Sequence, residues 1–114
     1  MNYDDELWDS IKVCNPNTAL YIVGEHVNNG NIRILENTWI YTLAYLGSFI
    51  NFNYQKWLST CKDVLSIIKK DEFHVSDAFE ITIKLCLLFK HSHMYINPPK
   101  LDIRTLRKKI VDLF

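Results

Sequence analysis

The chain has 114 residues, of which 48% are hydrophobic and 23% charged, and its formal net charge is zero. This length suits one compact domain with its own hydrophobic core, and the composition excludes a disordered or low-complexity chain. We therefore expect residues 1–114 to form a single domain.

The cysteines and the acidic start of the chain indicate a location. Cys14, Cys61 and Cys86 are an odd number with no close spacing. Each falls at an apolar position of a predicted helix or at its end, as expected for buried thiols in a reducing compartment. The acidic start is unlike a secretory or mitochondrial leader. We therefore expect a cytoplasmic or nuclear protein, and the frequent Asn, Ile, Lys and Tyr residues are compatible with a viral, intracellular-parasite or low-GC bacterial source.

The first predicted element is a short helix from Asp4 to Val13. Its acidic start suits the positive N-terminal end of a helix. Leu7, Trp8 and Ile11 form an apolar patch that should cover the core. Asn15-Pro16-Asn17 is expected to end this helix.

Residues 19–36 are predicted to form a β-hairpin. Two segments rich in β-forming residues, Leu20–Val23 and Ile32–Leu35, flank the sequence Asn28-Asn29-Gly30-Asn31. Asn-Gly suits the positive φ angles of a type I′ turn. Because a lone hairpin is marginal in water, one face should pack on helices and an edge would stay open to a partner strand.

Residues 38–50 are ambiguous between helix and strand. As a helix, the segment has Tyr41, Tyr45 and Phe49 in one stripe at i, i+4 and i+8. Such a stripe is either core or a recognition surface, since tyrosine combines apolar area with a polar tip. Asn37–Gln55 carries no charge, but its dense apolar run is too short to span a bilayer.

The segment from Tyr54 to Lys70 gives the clearest amphipathic pattern. Its apolar positions keep helical spacing throughout, and they are Tyr54, Trp57, Leu58, Cys61, Val64, Leu65 and Ile68.

The next predicted helix, at 77–90, is apolar around most of its circumference, with one narrow polar line at Asp77, Glu80, Lys84 and His91. A helix of that kind is usually buried. We therefore expect helix 77–90 to lie at the centre of the fold.

The C-terminal segment supports an alternative function. Asn97-Pro98-Pro99 should form an extended corner, and Asp102 can cap a last helix. Five bases lie in this segment: Lys100, Arg104, Arg107, Lys108 and Lys109. A basic helix can follow phosphates, so nucleic-acid binding is the alternative hypothesis. A solvated helix face explains the same charges equally well.

Metal binding and catalysis find little support. No paired zinc-ligand spacing occurs among the candidates, which are His74, Cys86, His91 and His93. Glu25 and His26 would point to opposite faces of a strand and cannot easily cooperate, and Cys14 belongs to no recognisable nucleophile motif. Three glycines are too few for a phosphate-binding loop. We therefore expect no enzymatic activity, metal, cofactor or small-molecule substrate.

The predicted fold class is α+β and mostly helical, with one β-hairpin at about 19–36 packed on four or five helices around helix 77–90. Apolar positions are numerous for the size of the chain, and small domains rarely expose large apolar patches unless they bind something. We therefore predict a non-enzymatic protein–protein interaction module, either a homodimer or an adaptor that binds a partner protein. Its surface would be built from Tyr41, Tyr45, Phe49, Leu87 and Leu88.

Overall fold

The computed structural model describes residues 3–47, 54–70 and 74–90 together with Lys108. The first three ranges form five helices: α1 (Asp5–Lys12), α2 (Pro16–Asn28), α3 (Ile32–Leu46), α4 (Tyr54–Ile68) and α5 (Val75–Lys90). No strand occurs in the described ranges. The α+β fold class is therefore wrong, and the architecture is all-helical.

The predicted hairpin at 19–36 is α2 followed by the first turn of α3. Ala19, Ile22 and Val23 of α2 are buried, and their spacing of i, i+3 and i+4 places them on one helical face. The β-propensity of this segment is overridden because that face packs into the core. Leu35, assigned to the second strand, is fully buried on α3.

The Asn-Gly sequence caps α2 instead of turning a hairpin. Gly30 adopts a φ of 73°, and its N–H donates to the carbonyl of Val27 at 3.2 Å. The N–H of Asn31 donates to the carbonyl of His26 at 2.8 Å. These two bonds form a Schellman motif, which satisfies carbonyls that the end of a helix leaves unpaired. A type I′ turn and this cap both need a residue at positive φ, so the dipeptide alone cannot separate them.

The junction between α1 and α2 uses the same motif. Cys14 adopts a φ of 54°, and its N–H donates to the carbonyl of Ile11 at 3.0 Å. The N–H of Asn15 donates to the carbonyl of Ser10. The side-chain oxygen of Asn15 then accepts a hydrogen bond from the N–H of Thr18 at the start of α2. One residue therefore both ends α1 and begins α2.

α3 is deeply buried, with ten of its 15 residues in the interior. Residues 38–46 are helical, so the doubt between helix and strand is resolved as far as Leu46. Two buried hydroxyls find partners within the helix, since Thr38 donates to the carbonyl of Ile34 and Thr42 donates to that of Thr38, each at 2.8 Å. Such bonds let threonine lie in a core without an unsatisfied polar group.

α4 confirms the helix predicted from Tyr54 to Lys70, and it ends two residues earlier. Trp57 is buried on it, and its indole Nε1 donates to the carbonyl of Leu43 at 2.8 Å. The indole lies close over Gly47, where the absence of a Cβ leaves room for the ring. This contact fixes α4 against the C-terminal end of α3.

α5 packs against each of the other four helices, so its predicted central position is confirmed. The expectation that all its apolar residues are enclosed is wrong, because Ile83 and Leu87 are exposed to solvent beside the predicted polar line. The helix also begins two residues before Asp77, whose carboxylate lies 3.3 Å from the Nζ of Lys70.

Of the predicted last helix, the structure describes Lys108, which is helical and exposed. Among the described helices, none is both long and apolar enough to cross a membrane.

Candidate functional site

The exposed face of α5 is the candidate site. At 100° per residue, five of its exposed residues fall within a sector of about 80°, and they are Ser76, Glu80, Ile83, Leu87 and Lys90. We call these five residues the α5 face. Ile83 is 40% exposed and Leu87 is 45% exposed, one helical turn apart. The face therefore has an apolar centre with an acid towards its N-terminal end and a base at its C-terminal end.

Two neighbouring helices border the α5 face. On one side, Phe79 lies over α2, where its ring is 3.9 Å from the position that a Cβ on Gly24 would occupy. On the other side, the Nζ of Lys84 lies 2.8 Å from the carboxylate of Asp63 on α4. These contacts hold α5 between α2 and α4 and fix which of its residues face outward.

Lys84 also contacts the face itself. Its Nζ lies 3.2 Å from the Oε1 of Glu80, one turn earlier on the helix. The hydrogen bond with Asp63 raises the pKa of Lys84, partial burial opposes that shift, and Glu80 adds to the increase. Lys84 therefore stays charged at neutral pH and keeps Glu80 at the edge of the apolar centre.

Tyr41 and Tyr45 lie in the interior, each with 7% of its surface exposed. Tyr41 stacks on Tyr3 with ring centroids 4.5 Å apart, and Tyr45 meets the indole of Trp8 edge-on at 4.8 Å. Phe89 of α5 packs on Trp8 at 5.5 Å, which closes an aromatic cluster between α1, α3 and α5. Burial is the main cause that raises the pKa of Tyr3 to about 12, and Tyr41 adds to it. These rings hold the core together.

The remaining residues of the predicted partner surface divide between interior and exterior. Leu88 is buried, with 6% of its surface exposed, whereas Leu87 next to it points outward. Phe49 lies outside the described residues. Leu87 is thus the one residue of the predicted set that is both described and exposed. Ile83 and Lys90 were missed, although their spacing from Glu80 and Leu87 places all four on one helical face.

The predicted nucleic-acid surface falls almost wholly beyond the described ranges. Lys100, Arg104, Arg107 and Lys109 lie outside them, and Lys108 is exposed. Lys108 alone does not test the alternative of nucleic-acid binding, which stays a prediction.

Of the candidate catalytic residues, His26 has a structural role. Glu25 is exposed, whereas the Nε2 of His26 lies 2.6 Å from the carboxylate of Asp4. That carboxylate also accepts a hydrogen bond from the N–H of Leu7 and so caps α1. Cys14 is half-buried at the junction of α1 and α2. Within the described ranges, no three acidic, histidine or cysteine side chains come together as metal ligands would.

No protein-family model matches the chain, and no curated protein or solved structure is significantly similar to it. Its function therefore has to be argued from the geometry of the described helices.

Proposed function

We propose that the protein is a non-enzymatic protein–protein interaction module and that the α5 face is its docking surface. The observation that carries this proposal is the exposure of Ile83 and Leu87 side by side on a helix that contacts every other described helix. Burial of apolar area stabilises a complex by about 25 cal/mol per Å². An aliphatic pair on one turn is therefore a natural centre for a contact.

The surroundings of this pair also suit an interface. Glu80 and Lys90 lie beyond the apolar centre at opposite ends, and Lys84 lies beside it. An apolar centre with a charged periphery is typical of docking surfaces, where the charges select and orient the partner. The face lies on a packed helix, so little ordering of the chain is needed when a partner binds.

Replacement of Leu87 by Glu tests the proposal. The side chain is half exposed, so the variant should fold, while a carboxylate at the centre of the contact should prevent docking. The matched control is Tyr21→Glu, which introduces the same charge on α2 at a residue that is 70% exposed. Circular dichroism and thermal unfolding should show that both variants keep the helical fold.

The readout is affinity capture from cells that contain the protein, with a co-expressed copy bearing a second tag, followed by quantitative mass spectrometry. Proteins retained by the wild type and by Tyr21→Glu should be lost with Leu87→Glu. If the wild type and Leu87→Glu retain the same proteins, the α5 face is not the docking surface and the proposal fails.

A further inference from the structure

We infer that the occupant of the α5 face is a second copy of this chain, docked with the two α5 helices antiparallel about a two-fold axis at the level of Leu85. This inference rests on the proposed function and names the partner for it. It depends on a symmetry in the sequence of exposed residues along α5.

Four of the five residues of the α5 face, namely Glu80, Ile83, Leu87 and Lys90, are self-complementary about residue 85. Reversal of the helix about that point exchanges position 83 with 87 and position 80 with 90. Ile83 then lies against the partner's Leu87, and Glu80 lies against the partner's Lys90. In a two-fold interface every such contact occurs twice. The dimer would therefore contain two aliphatic pairs at its centre and two acid–base pairs outside them.

The charges select the antiparallel orientation. At a rise of about 1.5 Å per residue, Glu80 and Lys90 each lie about 7.5 Å from the axis, on opposite sides of it. In a parallel pair, Glu80 would face the partner's Glu80 and Lys90 would face the partner's Lys90. Like charges placed opposite each other disfavour an interface. The antiparallel arrangement pairs unlike charges at both ends.

The spacing of the face also suits a helix–helix contact. Successive residues of the contact, which are Glu80, Ile83, Leu87 and Lys90, are three, four and three positions apart. This spacing is typical of the contact between two helices that cross at about 20°. A contact made by one helix from each copy buries less than the roughly 800 Å² per partner of a standard interface. We therefore expect a concentration-dependent dimer with a dissociation constant in the micromolar range.

Cysteine cross-linking tests the register. Glu80→Cys and Lys90→Cys are made separately in a Cys14→Ser background, since the other native thiols, Cys61 and Cys86, are buried. Under mild oxidation, a mixture of the two variants should give a disulfide-linked dimer that joins position 80 to position 90. Each variant alone should cross-link at least tenfold less, because its two thiols would be offset by about 15 Å along the helices.

Charge reversal provides a second test that needs no cysteine. Lys90→Glu should weaken self-association by about tenfold, because both acid–base pairs become repulsive. Glu80→Lys combined with Lys90→Glu should restore it, since the same pairs form with their signs exchanged. Sedimentation equilibrium measures the dissociation constant of each variant, and circular dichroism checks that each one folds.

The outcomes separate this inference from the proposed function. A cross-link between two copies of position 80, or no rescue by the double reversal, overturns the antiparallel register. A wild-type chain that stays monomeric at all attainable concentrations overturns self-association. In that last case the proposed function still stands if captured proteins are lost with Leu87→Glu and kept with Tyr21→Glu. It falls as well if Leu87→Glu changes nothing.

Discussion

The carboxylate of Asp4 lies 2.6 Å from the Nε2 of His26 and joins the start of α1 to the last turn of α2. Since a carboxylate only accepts hydrogen bonds, Nε2 must carry the proton of this contact. The N–H of Asp4 donates to the hydroxyl of Thr38, and its other carboxylate oxygen accepts from the N–H of Leu7. One aspartate therefore fastens three helices to one another.

The first prediction concerns Asp4 and acid stability. Partial burial would raise the pKa of this carboxyl, but hydrogen bonds from Leu7 and His26 outweigh burial and hold the pKa below its usual value. A lowered pKa stabilises the fold above the unfolded value of about 4, and that contribution is lost as the pH falls through the lowered pKa. Asp4→Asn keeps the cap but loses the charge, so it should cost about 1 kcal/mol at pH 7 and make stability less dependent on pH below about 5.

Asp9→Asn is the matched control for that experiment. Asp9 lies 3.6 Å from Lys12 on the exposed side of α1, and exposed pairs of this kind contribute little. Urea unfolding between pH 2.5 and 7 gives the free energy of unfolding at each pH. As the pH falls, this free energy should decrease less in Asp4→Asn than in the wild type, and it should decrease as much in Asp9→Asn as in the wild type. If the wild type, Asp4→Asn and Asp9→Asn all lose the same stability as the pH falls, the fold does not hold Asp4 in its charged form.

The sequence predicts well where helical spacing is unambiguous. α1, α4 and α5 are found within about two residues of their predicted ends, and in α1 and α4 the apolar residues keep helical spacing. α2 and the first turn of α3 are missed because β-branched residues and Asn-Gly dominate the local signal. A helix start was nevertheless present, since Asn15 followed by Pro16 is a capping residue followed by a proline at the first helical position.

The candidate site shows a different limit. Spacing tells which residues share a helical face, but it does not tell whether that face meets the core or solvent. Tyr41 and Tyr45 do share a face, and that face packs on Trp8 and Phe89. Leu87 and Leu88 are adjacent in sequence, and only the packing of α5 against its neighbours decides that Leu88 is buried and Leu87 exposed.

The second prediction separates core tyrosines from surface residues. Tyr41→Ser and Tyr45→Ser should each lower the free energy of unfolding by about 3 kcal/mol or more, because each removes a buried ring from the aromatic cluster. Leu87→Ser should cost less than about 1 kcal/mol, since that side chain is already half in water. Urea unfolding followed by circular dichroism measures all three. Similar costs for Tyr41→Ser and Leu87→Ser would place Tyr41 on the surface.

The third prediction concerns the reactivity of the three thiols. Burial raises the pKa of the Cys61 thiol to about 12 and that of Cys86 to about 11, so neither forms thiolate at pH 8. Half-buried Cys14 should therefore react alone with a thiol reagent in the native protein, and all three should react in 6 M guanidinium. Cys14→Ser should remove the native reaction. Rapid labelling of two or more thiols in the folded wild type would contradict the burial of Cys61 and Cys86.

The last prediction uses one substitution at three glycines. Gly24→Ala should stabilise the fold by about 0.5–1 kcal/mol, because the position is helical and the new Cβ would make an ordinary contact with Phe79. Gly30→Ala should destabilise it by about 1 kcal/mol, and its φ of 73° is the whole cause, since no atom lies within 4 Å of the added Cβ. Gly47→Ala should cost about 1–3 kcal/mol, because its Cβ would lie 2.9 Å from the indole of Trp57. Thermal unfolding ranks the three variants. A stabilising Gly30→Ala would contradict the positive φ of Gly30 and with it the cap on α2.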